Sequence, residues 1–189
     1  MSTFHTPQIV QLPSEIIVRA QAFADAVTDT VNYHDSNQSV KQKIRDDHFV
    51  SKLGEEAVRL VFEARNCIVE GPDYTIYDKK QKSWVADLKV NALDVAVKTQ
   101  RRSAANRYDL SWTFQDSPQR RDPILSMPEA WVCLVVYEDL KSDYECVVYP
   151  LRKVKQLIFE PPRLSHLVGK KQAVYLETLQ KYKVFHTSD

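Results

Sequence analysis

A pair of alternating apolar runs, separated by Asn91-Ala92, constrains the fold more than any other feature of this sequence. Asparagine tolerates the positive φ that a two-residue hairpin turn requires. We therefore predict a β-hairpin over residues 84–100, in which the numbers of facing residues sum to 183. This register places Asp87 opposite Ala96.

The predicted hairpin gathers a group of side chains that can act on a phosphate. Strand alternation puts Asp87, Ala96 and Lys98 on one face, with directly opposed Cβ atoms about 5 Å apart. A metal ion that hydrolyses phosphodiesters needs hard oxygen ligands, and a neighbouring lysine can orient water or stabilise charge. This geometry suits two carboxylates and a lysine around one metal ion, but Ala96 stands where the second carboxylate is expected.

Composition limits the class of protein. The 189 residues can bury one core, and 26 Lys+Arg against 25 Asp+Glu exclude a generic polycation. Three widely spaced cysteines lack metal-ligand spacing and are predicted to be buried, reduced thiols. These cysteines are Cys67, Cys133 and Cys146. No signal peptide or membrane-spanning run is visible, which predicts a soluble, cytoplasmic protein.

Helical and strand patterns alternate along the chain. Residues 1–12 are predicted to form an extended arm, followed by an amphipathic helix from Ser14 to about Val31 and a longer one from about Ser39 to Asn66. Other predicted elements are a strand pair over 67–77, strands over 108–115, 131–137 and 145–149, a short basic helix over 151–159, and an ambiguous segment over 173–179. This order predicts one mixed α/β domain around a sheet.

The segment with Asp87, Ala96 and Lys98 resembles the PD-(D/E)xK nuclease superfamily, most closely a small type II restriction endonuclease, over roughly residues 50 to 150. The resemblance implies a restriction-endonuclease-like α/β fold, with a mixed central sheet flanked by helices and an N-terminal helical extension. A single nuclease domain would then comprise an arm and helix (1–38), a catalytic core (39–150) and C-terminal basic elements (151–189).

The resemblance also implies an activity and its partners. Asp87 and an acid at position 96 would bind Mg²⁺, and Lys98 would assist the attacking water. The substrate would be double-stranded DNA, cut at a specific sequence in a restriction system. A symmetric cut implies a homodimer, for which the helix from Ser14 to about Val31 is a candidate dimer or DNA-clamping element.

Two assignments within this site have rivals. Asp73 follows Pro72 as a literal Pro-Asp pair, but it has an ordinary explanation as a turn carboxylate, and the hairpin register favours Asp87. Such enzymes also often have a glutamate on the helix before the sheet. Rotation by 100° per residue puts Glu56 at the margin of the apolar stripe and points Glu55 nearly opposite, so we favour Glu56 and expect Glu55 to be solvated.

Three explanations compete for the missing acid. Asp94 lies on the same face as Ala96 but about 6.6 Å further along the strand. Glu56 is a second possible source of the carboxylate. Otherwise the chain is inactive, either naturally or because an acid was replaced to trap a DNA complex, and we favour this hypothesis.

Basic and amide side chains follow the lysine strand and predict a DNA-binding surface. The candidates are Gln100, Arg101, Arg102, Arg107, Gln115, Arg120 and Arg121. A second basic cluster lies near the C-terminus and comprises Arg152, Lys153, Lys155, Arg163, Lys170 and Lys171. Other functions compatible with the pattern are a repair, homing or structure-specific nuclease of the same fold, or a catalytically inactive DNA-binding module.

Overall fold

A computed structural model describes residues 4–28, 40–77, 86–106 and 109–186. The α-helices in these ranges are α1 (Ser14–Thr28), α2 (Lys41–Glu63) and α3 (Leu176–Lys181). The strands are β1 (Gln8–Gln11), β2 (Val69–Glu70), β3 (Leu88–Val90), β4 (Leu93–Arg101), β5 (Ser111–Gln115), β6 (Trp131–Tyr137), β7 (Glu145–Val148), β8 (Arg152–Lys153) and β9 (Lys171–Tyr175).

A mixed sheet forms the centre of the molecule. Its strand order is β1-β7-β6-β4-β3-β2, and β8 pairs with β6. Strands β4 and β6 are parallel, whereas the other pairs among its described strands are antiparallel. The apolar segment Trp131–Tyr137 is the inner strand β6, as predicted from its composition. The prediction of a mixed α/β architecture is therefore confirmed.

The hairpin of β3 and β4 has the predicted register. Leu88 pairs with Val95 and Val90 with Leu93, and both pairs sum to 183. Asn91 and Ala92 form the turn with φ values of 47° and 66°, the positive values that a tight hairpin demands. The Asn91 side chain also accepts a hydrogen bond from the backbone N–H of Ile68 at 2.8 Å, which ties the turn to β2.

Helices cover one face of this sheet. Helix α2 lies over the sheet, and its apolar residues join a core cluster with the inward side chains of β3, β4 and β6. Helix α1 packs on α2 through Ile16 and Ala20, which are buried in the same cluster. The apolar stripe of α1 is thus used within the chain.

A small second sheet covers the opposite face. Strands β5 and β9 pair antiparallel, and Trp112 and Phe114 of β5 enter a second apolar cluster with Ala96 and Val132. The resemblance implies a central sheet flanked by helices. In this chain the described helices flank the sheet mainly on one face, because β5 and β9 occupy much of the other. Trp112 is fully buried and donates a hydrogen bond to the carbonyl of Val135 at 2.8 Å.

Several predicted elements need correction. The N-terminal arm contains β1, which pairs with β7 and forms one edge of the central sheet. Segment 151–159 is not a basic helix, because β8 is followed by a single 3-10 turn over Val154–Gln156. In segment 67–77 only Val69–Glu70 is a strand. The ambiguous segment 173–179 is both, since β9 ends at Tyr175 and α3 begins at Leu176.

The cysteine side chains have the burial that the sequence predicts. The cysteines Cys67, Cys133 and Cys146 are all buried and form no disulfide, as expected. Burial raises the pKa of the Cys133 thiol far above its usual range. No helix in the described ranges is both long and apolar enough to cross a bilayer.

Candidate active site at the open edge of strand β4

Asp87 lies directly before β3 and contacts the neighbouring strand β4. Its carboxylate accepts a hydrogen bond from the backbone N–H of Val97 at 2.7 Å. Strand β3 begins at Leu88, so among the described strands only β6 pairs with β4 beyond Val95. The Asp87 side chain thus accepts a hydrogen bond from the Val97 N–H, which points to the edge of β4 where no described strand pairs with it. Continuing the hairpin register by one residue puts Asp87 across from Ala96.

Asp73, the rival first aspartate, has the geometry of a turn residue. It is exposed, and its carboxylate accepts hydrogen bonds from the Thr75 backbone N–H at 2.8 Å and the Tyr77 hydroxyl at 2.6 Å. These two hydrogen bonds lower the pKa of Asp73, with the Tyr77 bond making the larger contribution. The contacts of Asp73 are therefore those of a turn carboxylate, as the sequence predicts.

Glu55 is not solvated, contrary to expectation. It is only 3% exposed, and its carboxylate accepts hydrogen bonds from Lys52 at 2.5 Å and Ser51 at 3.1 Å. Burial, opposed by Lys52 and reinforced by the negative charge of Asp87, raises the pKa of Glu55 to about 7. Helix α2 is covered by α1 as well as by the sheet, so a residue outside its apolar stripe can still be buried.

Glu56, the favoured helix acid, is engaged elsewhere. It is fully buried, and its carboxylate pairs with Arg19 of α1 and with Arg59, the latter at 2.7 Å. The Tyr74 hydroxyl donates a third hydrogen bond to it at 2.9 Å. Glu56 thus joins α1, α2 and the segment after β2, whereas Glu55 is the helix carboxylate that interacts with Asp87.

Ala96 and Lys98 both face the second sheet. The Ala96 side chain is 6% exposed within the second apolar cluster. The Lys98 ammonium lies 4.9 Å from the ring centroid of Phe114 and forms an ion pair with Asp122 at 2.6 Å. An acid at position 96 would therefore lose its hydration. Its charged form would be destabilised unless Lys98 or a cation compensated the charge.

Two acids have positions that bear on the missing carboxylate. Asp94 is exposed near the hairpin turn, where it faces Lys89, and it precedes Ala96 on the side away from Lys98. Asp122, which the sequence reasoning did not select, is the carboxylate that contacts Lys98. Its only sequence signal is its place in a proline-rich loop over 116–129, which contains Pro118, Pro123 and Pro128, because no motif spacing links residues 24 positions apart.

The predicted DNA-binding residues after Lys98 make contacts within the protein. Gln100 donates to the Ser111 carbonyl at 3.2 Å, and Arg101 donates to the Asp46 carbonyl at 3.3 Å. Arg102 forms a two-pronged ion pair with Glu138, with its shortest contact at 2.6 Å. Arg107 lies outside the described residues.

The proline-rich loop stays close to β5. Gln115 accepts a hydrogen bond through its backbone carbonyl from the Asp122 N–H at 2.8 Å. Arg120 closes a turn with Ser117, and Arg121 pairs with Asp116 at 3.3 Å. The loop thus brings Arg120, Arg121 and Asp122 to the end of β5, on the side of the sheet where Lys98 lies.

Two carboxylates of this site could hold a magnesium ion. Mg²⁺ is commonly bound by one or two carboxylates, with water and phosphate as its other ligands. Asp87 and Glu55 supply two carboxylates whose mutual repulsion a cation would relieve. Thr99, on the adjacent strand, has a buried hydroxyl without a hydrogen-bond partner among the described residues. Within those residues no three His, Cys, Asp or Glu side chains are grouped to hold a metal ion.

Comparisons with known proteins identify no relative, since no protein-family model, curated protein or solved structure matches the chain.

Proposed function

We propose that this chain has the site of a Mg²⁺-dependent endonuclease that hydrolyses phosphodiester bonds in double-stranded DNA, with one acid absent at position 96. The principal observation is the Asp87 carboxylate on the Val97 N–H, because this contact fixes an acid beside the Ala96-Val97-Lys98 segment. The interaction of Glu55 with Asp87 adds a second carboxylate from the helix. Together these residues support the predicted division into metal-binding acids and an assisting lysine.

Each residue has a distinct role in this proposal. Asp87 and Glu55 would hold the ion, which when bound supplies positive charge that stabilises the transition state. Lys98 would orient the attacking water and stabilise charge on the phosphoryl oxygens. The water oxygen forms a bond to phosphorus, the bond from phosphorus to the leaving sugar oxygen breaks, and a proton lost by the water balances the one gained by the leaving oxygen. Glu56 would support the site by anchoring α2 to α1.

Restoring the acid tests the proposal. We expect Ala96→Glu to cleave duplex DNA with Mg²⁺ at least tenfold faster than the unmodified chain, because a third carboxylate would strengthen metal binding. Ala96→Gln is the matched control, since it adds nearly the same volume without charge. If the buried position does not accept glutamate, Ala96→Asp introduces the same charge in a smaller side chain.

Further variants separate this site from a contaminating nuclease. Adding Asp87→Asn or Lys98→Met to Ala96→Glu should abolish the cleavage. Folded Ala96→Glu and Ala96→Asp proteins without cleavage under Mg²⁺ or Mn²⁺ would contradict the proposal, as would cleavage that survives Asp87→Asn. Circular dichroism establishes that each variant is folded.

The cleavage pattern distinguishes the kinds of nuclease. A type II restriction enzyme would give discrete fragments from long linear DNA, whereas a homing enzyme gives rare cuts and a structure-specific repair enzyme cuts only at junctions or damage. A type II restriction enzyme that cuts a symmetric site would act as a homodimer in which each subunit cuts one strand. Analytical ultracentrifugation that finds only monomers with bound duplex would argue against this assembly.

A catalytically inactive DNA-binding module is the second candidate. The burial of Ala96 in an apolar cluster and the pairing of Lys98 with Asp122 favour it, because both leave the site stable without an added acid. Such a module would bind duplex DNA and cleave it under no metal condition, even with an acid at position 96.

A further inference from the structure

Lys171 differs from the ion-paired basic residues near the C-terminus. Lys153 and Lys155 both pair with Glu129, and Arg163 pairs with Asp109 and Glu177. Lys171 is partly buried, and its ammonium has one close polar neighbour in the described chain, the Thr113 hydroxyl at 3.5 Å. No described carboxylate forms an ion pair with it.

Lys171 is connected to Lys98 through two intervening residues. In the small sheet Lys171 pairs with Gln115, whose backbone carbonyl accepts the hydrogen bond from the Asp122 N–H. The Asp122 carboxylate in turn binds Lys98. The two lysines therefore lie at the same end of β5, one on β9 and the other on β4, with Arg120 in the adjoining loop.

The surroundings of Lys171 are electropositive. Burial lowers the pKa of Lys171 most, and the charges of Lys43, Arg120 and Lys98 lower it further. Asp47 opposes this effect but is itself paired with Lys43 at 3.1 Å. The charges of Lys43, Lys98 and Arg120 therefore act on Lys171, and no described carboxylate forms an ion pair with it.

A phosphate group has the negative charge and the acceptor oxygens that Lys171 lacks. Repulsion among gathered cations costs free energy in the folded protein, and a bound anion removes that cost. We propose that Lys171, together with Lys43, Lys98 and Arg120, binds a backbone phosphate of a nucleic acid. The proposal rests on the proposed nuclease function for its choice of ligand, and it assigns to Lys171 the role of holding the duplex beside the Asp87 site.

Binding of a labelled duplex tests the role of Lys171. We measure fluorescence anisotropy of a short blunt duplex at several salt concentrations, with the unmodified chain and with Lys171→Gln. Loss of one phosphate contact should raise Kd about threefold to tenfold and reduce the slope of log Kd against log salt by about 0.9. Lys170→Gln is the matched control, because Lys170 is the adjacent residue, carries the same charge and is exposed.

The outcomes separate this inference from the proposed function. A specific effect of Lys171→Gln, with little effect of Lys170→Gln and recovery in Lys171→Arg, supports the phosphate site even if Ala96→Glu cleaves nothing. Equal effects of the Lys170 and Lys171 variants would overturn it, because they would indicate only general attraction. No duplex binding by the folded chain would also overturn it. Cleavage by Ala96→Glu with undiminished binding in Lys171→Gln would overturn the inference but leave the nuclease proposal intact.

Discussion

Gly54 and Thr99 lie in direct contact across the interface between α2 and β4. A Cβ atom placed on Gly54 would be 1.8 Å from the Thr99 hydroxyl oxygen and 2.8 Å from its Cβ. Only glycine allows the helix to approach the strand this closely. The contact fixes the height of the helix over the sheet, and thereby the distance between the Glu55 carboxylate and the edge of β4.

Gly54→Ala is expected to force α2 away from β4. Overpacking of this kind costs about 1–3 kcal/mol, and more where the backbone cannot move. Urea unfolding should show the loss, and Thr99→Ala should reduce the cost of the Gly54 change because it removes the nearest atom. Additive effects of the two substitutions would show that the contact does not limit the packing.

Asp87→Ala is expected to destabilise the fold as well as the proposed active site. The change leaves the Val97 N–H without its carboxylate partner, which costs about 1–3 kcal/mol if the group stays buried. Asp87→Asn keeps an oxygen acceptor and should be distinctly less destabilising, although it removes the negative charge that the proposed metal ion would need. Urea unfolding of both variants compares the two effects, and equal losses would argue against the hydrogen bond as the cause.

The raised pKa of Glu55 predicts that its contribution to stability falls as pH rises. Burial raises this pKa from 4.5 to about 7, so the folded chain holds the proton more strongly than the unfolded chain does. The contribution is therefore complete below about pH 4.5 and is lost as pH rises through about 7.

The measurement compares unfolding free energies of the unmodified chain and Glu55→Gln in metal-free buffer. Relative to Glu55→Gln, the unmodified chain should lose about 2–3 kcal/mol between about pH 5 and about pH 8. Glu70→Gln removes an exposed carboxylate of β2 and serves as the control. A difference that does not vary with pH would show that Glu55 titrates normally.

Arg102→Gln is expected to affect stability more than DNA affinity. Its guanidinium forms the two-pronged ion pair with Glu138, whose side chain is largely buried and would lose its charged partner. Allowing for the partial exposure of Arg102, the cost should be about 1–3 kcal/mol. Urea unfolding and duplex-binding measurements on the same variant show whether Arg102 contributes to stability or to DNA affinity. Weaker binding with unchanged stability would restore Arg102 as a DNA contact.

The sequence predicts the local structure of the hairpin well because its turn and its alternation act over a few residues. Asn91-Ala92 and the apolar pattern suffice for the register, and helix α2 begins within two residues of its predicted start at Ser39. Contacts between segments far apart in the sequence could not be predicted from such local patterns. Asp122 reaches Lys98 only through the crossover loop, and the burial of Glu55 depends on tertiary packing around α2 that its helical spacing does not reveal.

The ion pair between Lys98 and Asp122 has a consequence for how this site would receive an anion. Asp122 is tethered by the chain between β4 and β6, so it acts on Lys98 at a high effective concentration. An incoming phosphate must therefore exchange with a resident carboxylate. Free phosphate competes poorly against such a tethered rival, whereas a polymer held by several contacts at once is itself tethered. If the site receives a phosphate as proposed, the pair would favour long polyanions over small ones.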